Sequence, residues 1–186
     1  MKVVILDSIG NTNRTTLVEK ITRTCIEKNV DCKAINLTEL NLIPCYGCEG
    51  CLKQTPGKCV MKDDTAQFMT PLATANCIIG ITNVRYGGYS ADYKLVADKF
   101  ALMGSPYYGM KNGKLLHHKR YPDFNAYYVV GIGTDLSQEE TDNFRLLVKR
   151  NAMNMFVDLY ETFFSDGKED EELIQKMIRI MIDNDR

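Results

Sequence analysis

Residues 2–16, Lys2-Val3-Val4-Ile5-Leu6-Asp7-Ser8-Ile9-Gly10-Asn11-Thr12-Asn13-Arg14-Thr15-Thr16, decide the fold. Val3 to Leu6 form an unbroken apolar run with no polar alternation. Such a run reads as a strand buried on both faces, the habit of parallel sheets covered by helices. Asp7 to Asn11 end it with turn-forming and capping residues. Leu17, Val18, Ile21 and Cys25 then recur at helical spacing, with Asn13 or Thr15 as candidate N-cap. The chain therefore opens as strand, polar loop, helix.

The same alternation continues outward. Residues 31–37 read as a second strand, and Cys77, Ile78, Ile79, Gly80, Ile81 and Thr82 as a third. Tyr127, Tyr128, Val129, Val130, Gly131 and Ile132 make a fourth, and the aromatic-rich residues 156–164 a fifth. Helices are predicted after Asp63-Asp64, with Pro71 shortening or kinking that one, and from Ala91 to about Met103. Another runs to about Asn151 behind a capping box of Ser137 and Glu140. Leu173, Ile174, Met177, Ile178 and Met181 mark the last; its acidic lead-in reads as a solvated face. Strands alternating with helices predict an α/β fold with helices on both faces of a parallel sheet. The expectation is a flavodoxin-like three-layer sandwich of five parallel strands in the order 2-1-3-4-5. Residues 104–126 have no period and form an irregular excursion, with a tight turn or small hairpin at Asn112-Gly113. No repeat or linker divides the chain, so residues 1–186 read as a single domain.

Bulk properties exclude several classes. The 186 residues are 45% hydrophobic and 25% charged, with a net charge of −1. That balance offers no field for nucleic acid or an anionic membrane surface. The opening MKVVILDS is too short an apolar run for a signal peptide, and no run approaches a membrane span. The reading is cytoplasmic, where cysteines serve as ligands, redox thiols or buried apolar residues more often than as disulfides. Cys25, Cys32 and Cys77 fall on helix and strand positions and read as buried apolar residues.

In open α/β sheets ligands bind beyond the carboxyl ends of the strands, beside the first strand. Ser8, Gly10, Asn11, Thr12, Asn13, Arg14 and Thr15 lie there and supply hydroxyls, backbone N–H groups and a helix N-terminus suited to an anion. A polar loop that only caps a helix is the competing reading. The run lacks both G-x-x-x-x-G-K-[ST] and G-x-G-x-x-G, which argues against a nucleoside triphosphate or the usual dinucleotide site. Asn83, Val84, Arg85, Tyr86, Gly87 and Gly88 follow the third strand, and Gly131 to Asp135, with Gly133 at its centre, follow the fourth. Three loops on one edge suit a flat cofactor with a phosphate tail, namely FMN.

Cys45, Cys48, Cys51 and Cys59 crowd into Pro44-Cys-Tyr-Gly-Cys-Glu-Gly-Cys-Leu-Lys-Gln-Thr-Pro-Gly-Lys-Cys59, the segment at 44–60. A run of C-x2-C-x2-C with a fourth cysteine suits a [4Fe–4S] cluster. Structural zinc prefers two separated ligand pairs, and metal-free redox thiols are a third possibility. The adjacent His117 and His118 sit in the irregular excursion, where they read as an exposed or subunit-contacting loop or as a contact to a nicotinamide donor. No Ser/His/Asp arrangement and no H-E-x-x-H occurs, which disfavours hydrolysis.

Together, the loop from Ser8 to Thr15, the P-C-x-G-C-x-x-C run at 44–51, Cys59 with Asp63-Asp64 downstream, and Thr82-Asn-Val-Arg-Tyr-Gly-Gly-Tyr-Ser90 resemble one group of proteins. This is the iron–sulfur flavoprotein branch of the NADPH-dependent FMN reductase and flavodoxin-like superfamily. The chain departs from it at Asp7, where the family often has Gly, at Gly10, where a basic residue is usual, and at Asn83, where Pro is frequent. The resemblance implies FMN held by the loops after strands one, three and four, and a [4Fe–4S] cluster on Cys45, Cys48, Cys51 and Cys59. It also implies a homodimer or homotetramer and exchange of electrons with a redox partner protein or NAD(P)H. An electron-transfer flavoprotein is the leading expectation. The alternatives are an NAD(P)H-dependent reductase of flavins, quinones or nitro compounds without a cluster, and a zinc-stabilised binding module.

Overall fold

A computed structural model describes residues 1–9, 14–167 and 171–184, with the side chains of residues 14–16 also outside the description. Among these residues seven strands and six α-helices follow one another. They are β1 Lys2–Asp7, α1 Arg14–Glu27, β2 Asp31–Asn36, α2 Gly50–Lys53, α3 Thr65–Leu72, β3 Cys77–Asn83, α4 Ala91–Asp98, β4 Gly104–Lys111, β5 Lys114–Lys119, β6 Ala126–Ile132, α5 Gln138–Asn154, β7 Leu159–Ser165 and α6 Glu171–Asp183. Five strands form a parallel sheet in the order β2-β1-β3-β6-β7, and β4 pairs antiparallel with β5 apart from it. This is an α/β flavodoxin-like fold. The predicted order 2-1-3-4-5 is the observed one once hairpin strands β4 and β5 are left out of the numbering.

Central strands β1, β3 and β6 are buried along nearly their whole length, as their unbroken apolar runs require. Alternate residues face two cores. Val4, Leu6, Ile78, Tyr127 and Val129 pack with α3, α4 and α5. Val3, Ile5, Ile79, Ile81, Tyr128 and Val130 pack with Leu17, Val18 and Ile21 of α1 and Ile174, Met177 and Ile178 of α6. Each such aliphatic side chain contributes about 1.5–3 kcal/mol on burial, so the two cores dominate over surface ion pairs of at most ~1 kcal/mol. Gly80 serves the first core. A Cβ there would lie 2.0 Å from the Tyr93 hydroxyl. Its absence lets Tyr93 reach under the sheet and share a 3.1 Å hydrogen bond with Tyr127, which in turn bonds Tyr89 at 3.1 Å.

Several boundaries differ from expectation for local reasons. α1 starts at Arg14, which puts Thr15 inside the helix and not at its cap; Asn13 lies outside the described residues. The helix predicted from Ala91 to about Met103 is α-helical only to Asp98 and tightens into a 3-10 turn over Lys99–Met103. The fifth strand starts at Leu159, three residues late, because Phe156 turns the chain with φ 63° after α5, which runs on to Asn154. Pro71 sits in the last turn of α3, which ends one residue later. The Ser137–Glu140 capping box is formed on both sides. Asn112 and Gly113, at φ 50° and 73°, make the tight turn between β4 and β5, so the excursion is a hairpin over much of its length. Among the described residues no helix is long and apolar enough to cross a membrane.

Gly80→Ala should destabilise the protein by about 1–3 kcal/mol, the cost of overpacking a filled core. Urea unfolding followed by circular dichroism measures it, and an unchanged midpoint would contradict the packing described here.

Candidate functional site

Parallel pairing brings the carboxyl ends of β1, β3, β6 and β7 to one edge. Ser8, immediately after β1, is held tightly there. Its N–H donates to Ile81 O at 2.9 Å and its hydroxyl to the same carbonyl at 3.1 Å. The Ser8 and Ser90 hydroxyls lie 3.0 Å apart, and the Thr82 hydroxyl donates to Ser90 Oγ at 3.0 Å. Ser90 is also the N-cap of α4. The Ser8 side chain is thus a buried tie between the ends of β1 and β3. Gly10, Asn11, Thr12 and Asn13 lie outside the described residues. Arg14 and Thr15 occupy the first turn of α1.

Asn83, Val84, Arg85, Tyr86 and Gly133 come together. With Ile132, Thr134, Asp135, Leu136, Glu140 and Asp166 they line a cleft of about 490 Å³. That volume lies within the usual range of small-molecule sites, roughly 300–1,000 Å³. Arg85 and Gly88 exchange two backbone hydrogen bonds at 2.9 and 2.8 Å, closing a two-residue turn on Tyr86 and Gly87, at φ 51° and 74°. Gly87 does not line the cleft. A Cβ on it would lie 3.0 Å from Asn143 Cβ and 3.3 Å from Glu140 Cα, so the glycine lets the turn seat on α5. Gly88 closes the turn. Tyr86 is left projecting at the apex, 97% exposed, in a left-handed conformation uncommon for a tyrosine. Val84 points inward and its N–H is held by Ile132 O at 2.8 Å. Leu136, Glu140 and Asp166 escaped sequence reasoning. Glu140 is visible only as half of a capping box, and Asp166 only as part of an acidic run. The rule that ligands gather at strand carboxyl ends would have found Asp166, which directly follows β7.

The cysteine segment sits elsewhere on the molecule, between β2 and α3. Cys45 and Cys48 are exposed, while Cys51 and Cys59 are half-buried, and all are free thiols. Donation from the Gly50 N–H and from the Tyr46 hydroxyl lowers the pKa of Cys48. Burial raises that of Cys51, helped by the nearby Cys45, Cys59 and Cys48. Among the described residues no three His, Cys, Asp or Glu side chains meet in a group able to hold a metal ion. Two carboxylates clamp the loop. Asp63 accepts from Ile43 N at 2.9 Å, Thr65 N at 3.1 Å and Thr65 Oγ1 at 2.6 Å; Asp64 accepts from Asn41 N at 2.8 Å. Lys99 joins Asp63 at 2.9 Å, with side chains 1% and 0% exposed, and its ammonium donates to Cys59 Sγ at 3.7 Å. On the hairpin, His117 Nδ1 lies 2.8 Å from Ser105 O and the ring stacks on Tyr108, while His118 packs on Phe156. Neither histidine lines the cleft.

A parallel sheet in this order, with a cleft at the carboxyl ends of β3, β6 and β7, defines a class: flavodoxin-like α/β proteins with a candidate ligand site at the strand ends. The model of the NADPH-dependent FMN reductase family matches residues 1–170, and the chain belongs to that family. An iron-sulfur flavoprotein of Methanocaldococcus jannaschii is 32% identical over 87 residues, 47% of this chain and 44% of that protein. The chain thus matches less than half of that relative's length. Among solved structures, RosB with a bound flavin-derived intermediate superposes with a TM-score of 0.66 at 10% identity, covering 98% of this chain and 76% of that one. An FMN-dependent NADH-azoreductase from Bacillus anthracis in complex with FMN gives a TM-score of 0.58 at 12% identity, covering 99% and 97%. These two likenesses speak for the fold.

Burial opposes ionisation of Asp63, but hydrogen bonds from Thr65, Ile43 and Lys99 outweigh it and hold its pKa at about 2, against 3.8 unperturbed. A depressed pKa adds stability that is full above about pH 4 and is lost as pH falls through 2. The contribution is about 2 kcal/mol. Urea unfolding at pH 7, 4 and 2.5 should show Asp63→Asn losing less stability on acidification than the parent. Equal losses would contradict the assignment.

Proposed function

We propose that the protein binds FMN at the carboxyl edge of the sheet and works as an electron-transfer flavoprotein, with a [4Fe–4S] cluster on Cys45, Cys48, Cys51 and Cys59. The observation that carries the flavin reading is the cleft between the loops after β3 and β6, in a chain of the FMN reductase family. Its walls suit a flat ring: apolar Val84, Ile132 and Leu136, polar Asn83 and Thr134, and a tyrosine at the rim. Acidic Asp135, Glu140 and Asp166 make this end of the site a poor home for a phosphate. The phosphate belongs instead with Ser8, Gly10, Asn11, Thr12, Asn13, Arg14 and Thr15, where the start of α1 offers N–H donors and the positive end of its dipole. Ser8 acts there by fixing the end of β1, since its own hydroxyl is engaged with Ile81 and Ser90.

Bound FMN supplies two-electron exchange with NAD(P)H and one-electron exchange with a metal centre or partner protein. The chain's residues hold and shield it. Gly87 seats the turn against α5, which fixes Asn83, Val84, Arg85, Tyr86 and Gly88 relative to the opposite wall at Gly133. Arg85 provides the cation at the rim, and Tyr86 an aromatic face able to cover a planar ligand. A cluster would give the cysteine segment a one-electron relay. The four-thiol donor set supports that reading. So does the partial match to an iron-sulfur flavoprotein.

A second reading, an NAD(P)H-dependent reductase of flavins, quinones or nitro compounds without a cluster, is favoured by one fact. No three metal-binding side chains meet among the described residues. Iron, sulfide and FMN content of anaerobically prepared protein separates the two. The proposal expects stoichiometric FMN and iron, with Cys48→Ala losing iron and keeping FMN. FMN without iron, together with steady NAD(P)H oxidation, would replace it with the second reading. Protein that takes up no FMN would refute both.

A further inference from the structure

Cys25 and Cys32 meet on the α1 side of the sheet. Cys25 lies in the last turn of α1, and its carbonyl accepts the N–H groups of Lys28 at 3.1 Å and Val30 at 2.9 Å. Asn29, at φ 58°, turns the chain straight back into β2, whose second residue is Cys32. The Cys32 sulfur accepts a hydrogen bond from the Cys25 thiol. Cys25 is buried, whereas Cys32 is only half-buried. The third cysteine of this core, Cys77, is set apart. Val3 of β1 pairs with Cys32 on one side and with Cys77 on the other. Two strand spacings of about 4.8 Å therefore separate Cys32 from Cys77, beyond the ~7 Å between Cα atoms that a disulfide tolerates. Filling the core with small apolar residues needs neither a sulfur-to-sulfur contact nor a half-buried member.

The hydrogen bond makes the two thiols unequal. It holds the proton on Cys25, whose pKa burial raises further, and it lowers that of Cys32 against the opposing effect of burial. Cys32 is the better nucleophile and the sulfur that a small oxidant reaches, while Cys25 is its sheltered neighbour. We propose that Cys25 and Cys32 form a peroxide-reactive dithiol, in which Cys32 attacks the oxidant and Cys25 closes a reversible disulfide. The chemistry uses no flavin and no metal, so it stands apart from the function proposed above. The Cys32 thiolate attacks one oxygen of hydrogen peroxide. The O–O bond breaks, Cys32 becomes a sulfenic acid, and the departing hydroxide takes up the proton that Cys32 gave away and leaves as water. The Cys25 sulfur then attacks the Cys32 sulfur. The S–O bond breaks, the disulfide forms, and the hydroxyl leaves with the Cys25 proton as a second water. Two thiols are oxidised by two electrons, and one peroxide is reduced to two waters.

The test treats the folded, reduced protein with hydrogen peroxide, removes the excess with catalase, and alkylates the remaining thiols in urea. Trypsin cuts after Arg23, Lys28 and Lys33, so a bridge joins peptides 24–28 and 29–33. Mass spectrometry should find the linked pair, two hydrogens lighter than its parts, and dithiothreitol should return the separate peptides. Cys77 should stay a thiol. Cys25→Ser should strand Cys32 as a sulfenic acid that dimedone captures, and Cys32→Ser should leave Cys25 alkylated as in untreated protein. Cysteines that merely fill the core would be alkylated in full with or without peroxide, and that result overturns the proposal. A bridge from either residue to Cys77 overturns the pairing, and dimedone on Cys25 in the Cys32→Ser protein overturns the order of attack. Should a variant fail to fold, the parent's peptide map decides, and absence of the linked pair overturns the assignment.

Discussion

Parallel pairing of β1 with β2 on one side and β3 on the other is the constraint on which the rest depends. Strands that run the same way must be joined by crossovers, and the crossovers supply the helices that bury both faces. They also send every strand's carboxyl end to one edge. Residues after β3, β6 and β7 meet there in one cleft. A hydroxyl cluster of Ser8, Thr82 and Ser90 locks the ends of β1 and β3 together and caps α4. The cleft beside that lock is the structural consequence.

Burial and electrostatics divide the molecule into two polar regions with different characters. The cleft is lined by three carboxylates, Asp135, Glu140 and Asp166, and one guanidinium, Arg85. Tyr89, Tyr93 and Tyr127 lie behind its wall, joined by hydrogen bonds and kept neutral by burial: Tyr89 is pushed up to about 12, and the other two well above the ordinary tyrosine value. They are a packed polar seam that keeps its protons at neutral pH. The cysteine segment is a surface wrap anchored from beneath by buried charge. Asp63, Asp64 and Lys99 hold its two ends, and Arg120 and Tyr121 of the chain after β5 fill the space that Gly57 leaves open.

The fold was highly legible because the central strands are unambiguous. Val3 to Leu6, Cys77 to Thr82 and Tyr127 to Ile132 are too apolar to face water on either side. Edges were harder. Residues 156–158 carry strand-like side chains, but the left-handed turn at Phe156 delays β7, and no propensity announces that. Lys99 to Met103 continue a helical pattern that tightens into a 3-10 turn at the junction with β4. That Asn83 to Tyr86 and Gly133 would lie together beyond the strand ends was legible from their position after strands, and they line the cleft. The role of Gly87 was not, since its contact is with α5, distant in sequence. The buried partnership of Lys99 and Asp63 was equally hidden, because a charged residue in a helix pattern reads as surface.

The central claim is that the carboxyl edge of this sheet receives a flavin nucleotide. Hydrogen–deuterium exchange of the protein with and without added FMN tests it directly. The account predicts slowed exchange in residues 84–88, 132–136 and at the start of α1, with the opposite edge around Asn76 and Asn125 unchanged. Protection confined to that opposite edge, or none at all at saturating FMN, would contradict it.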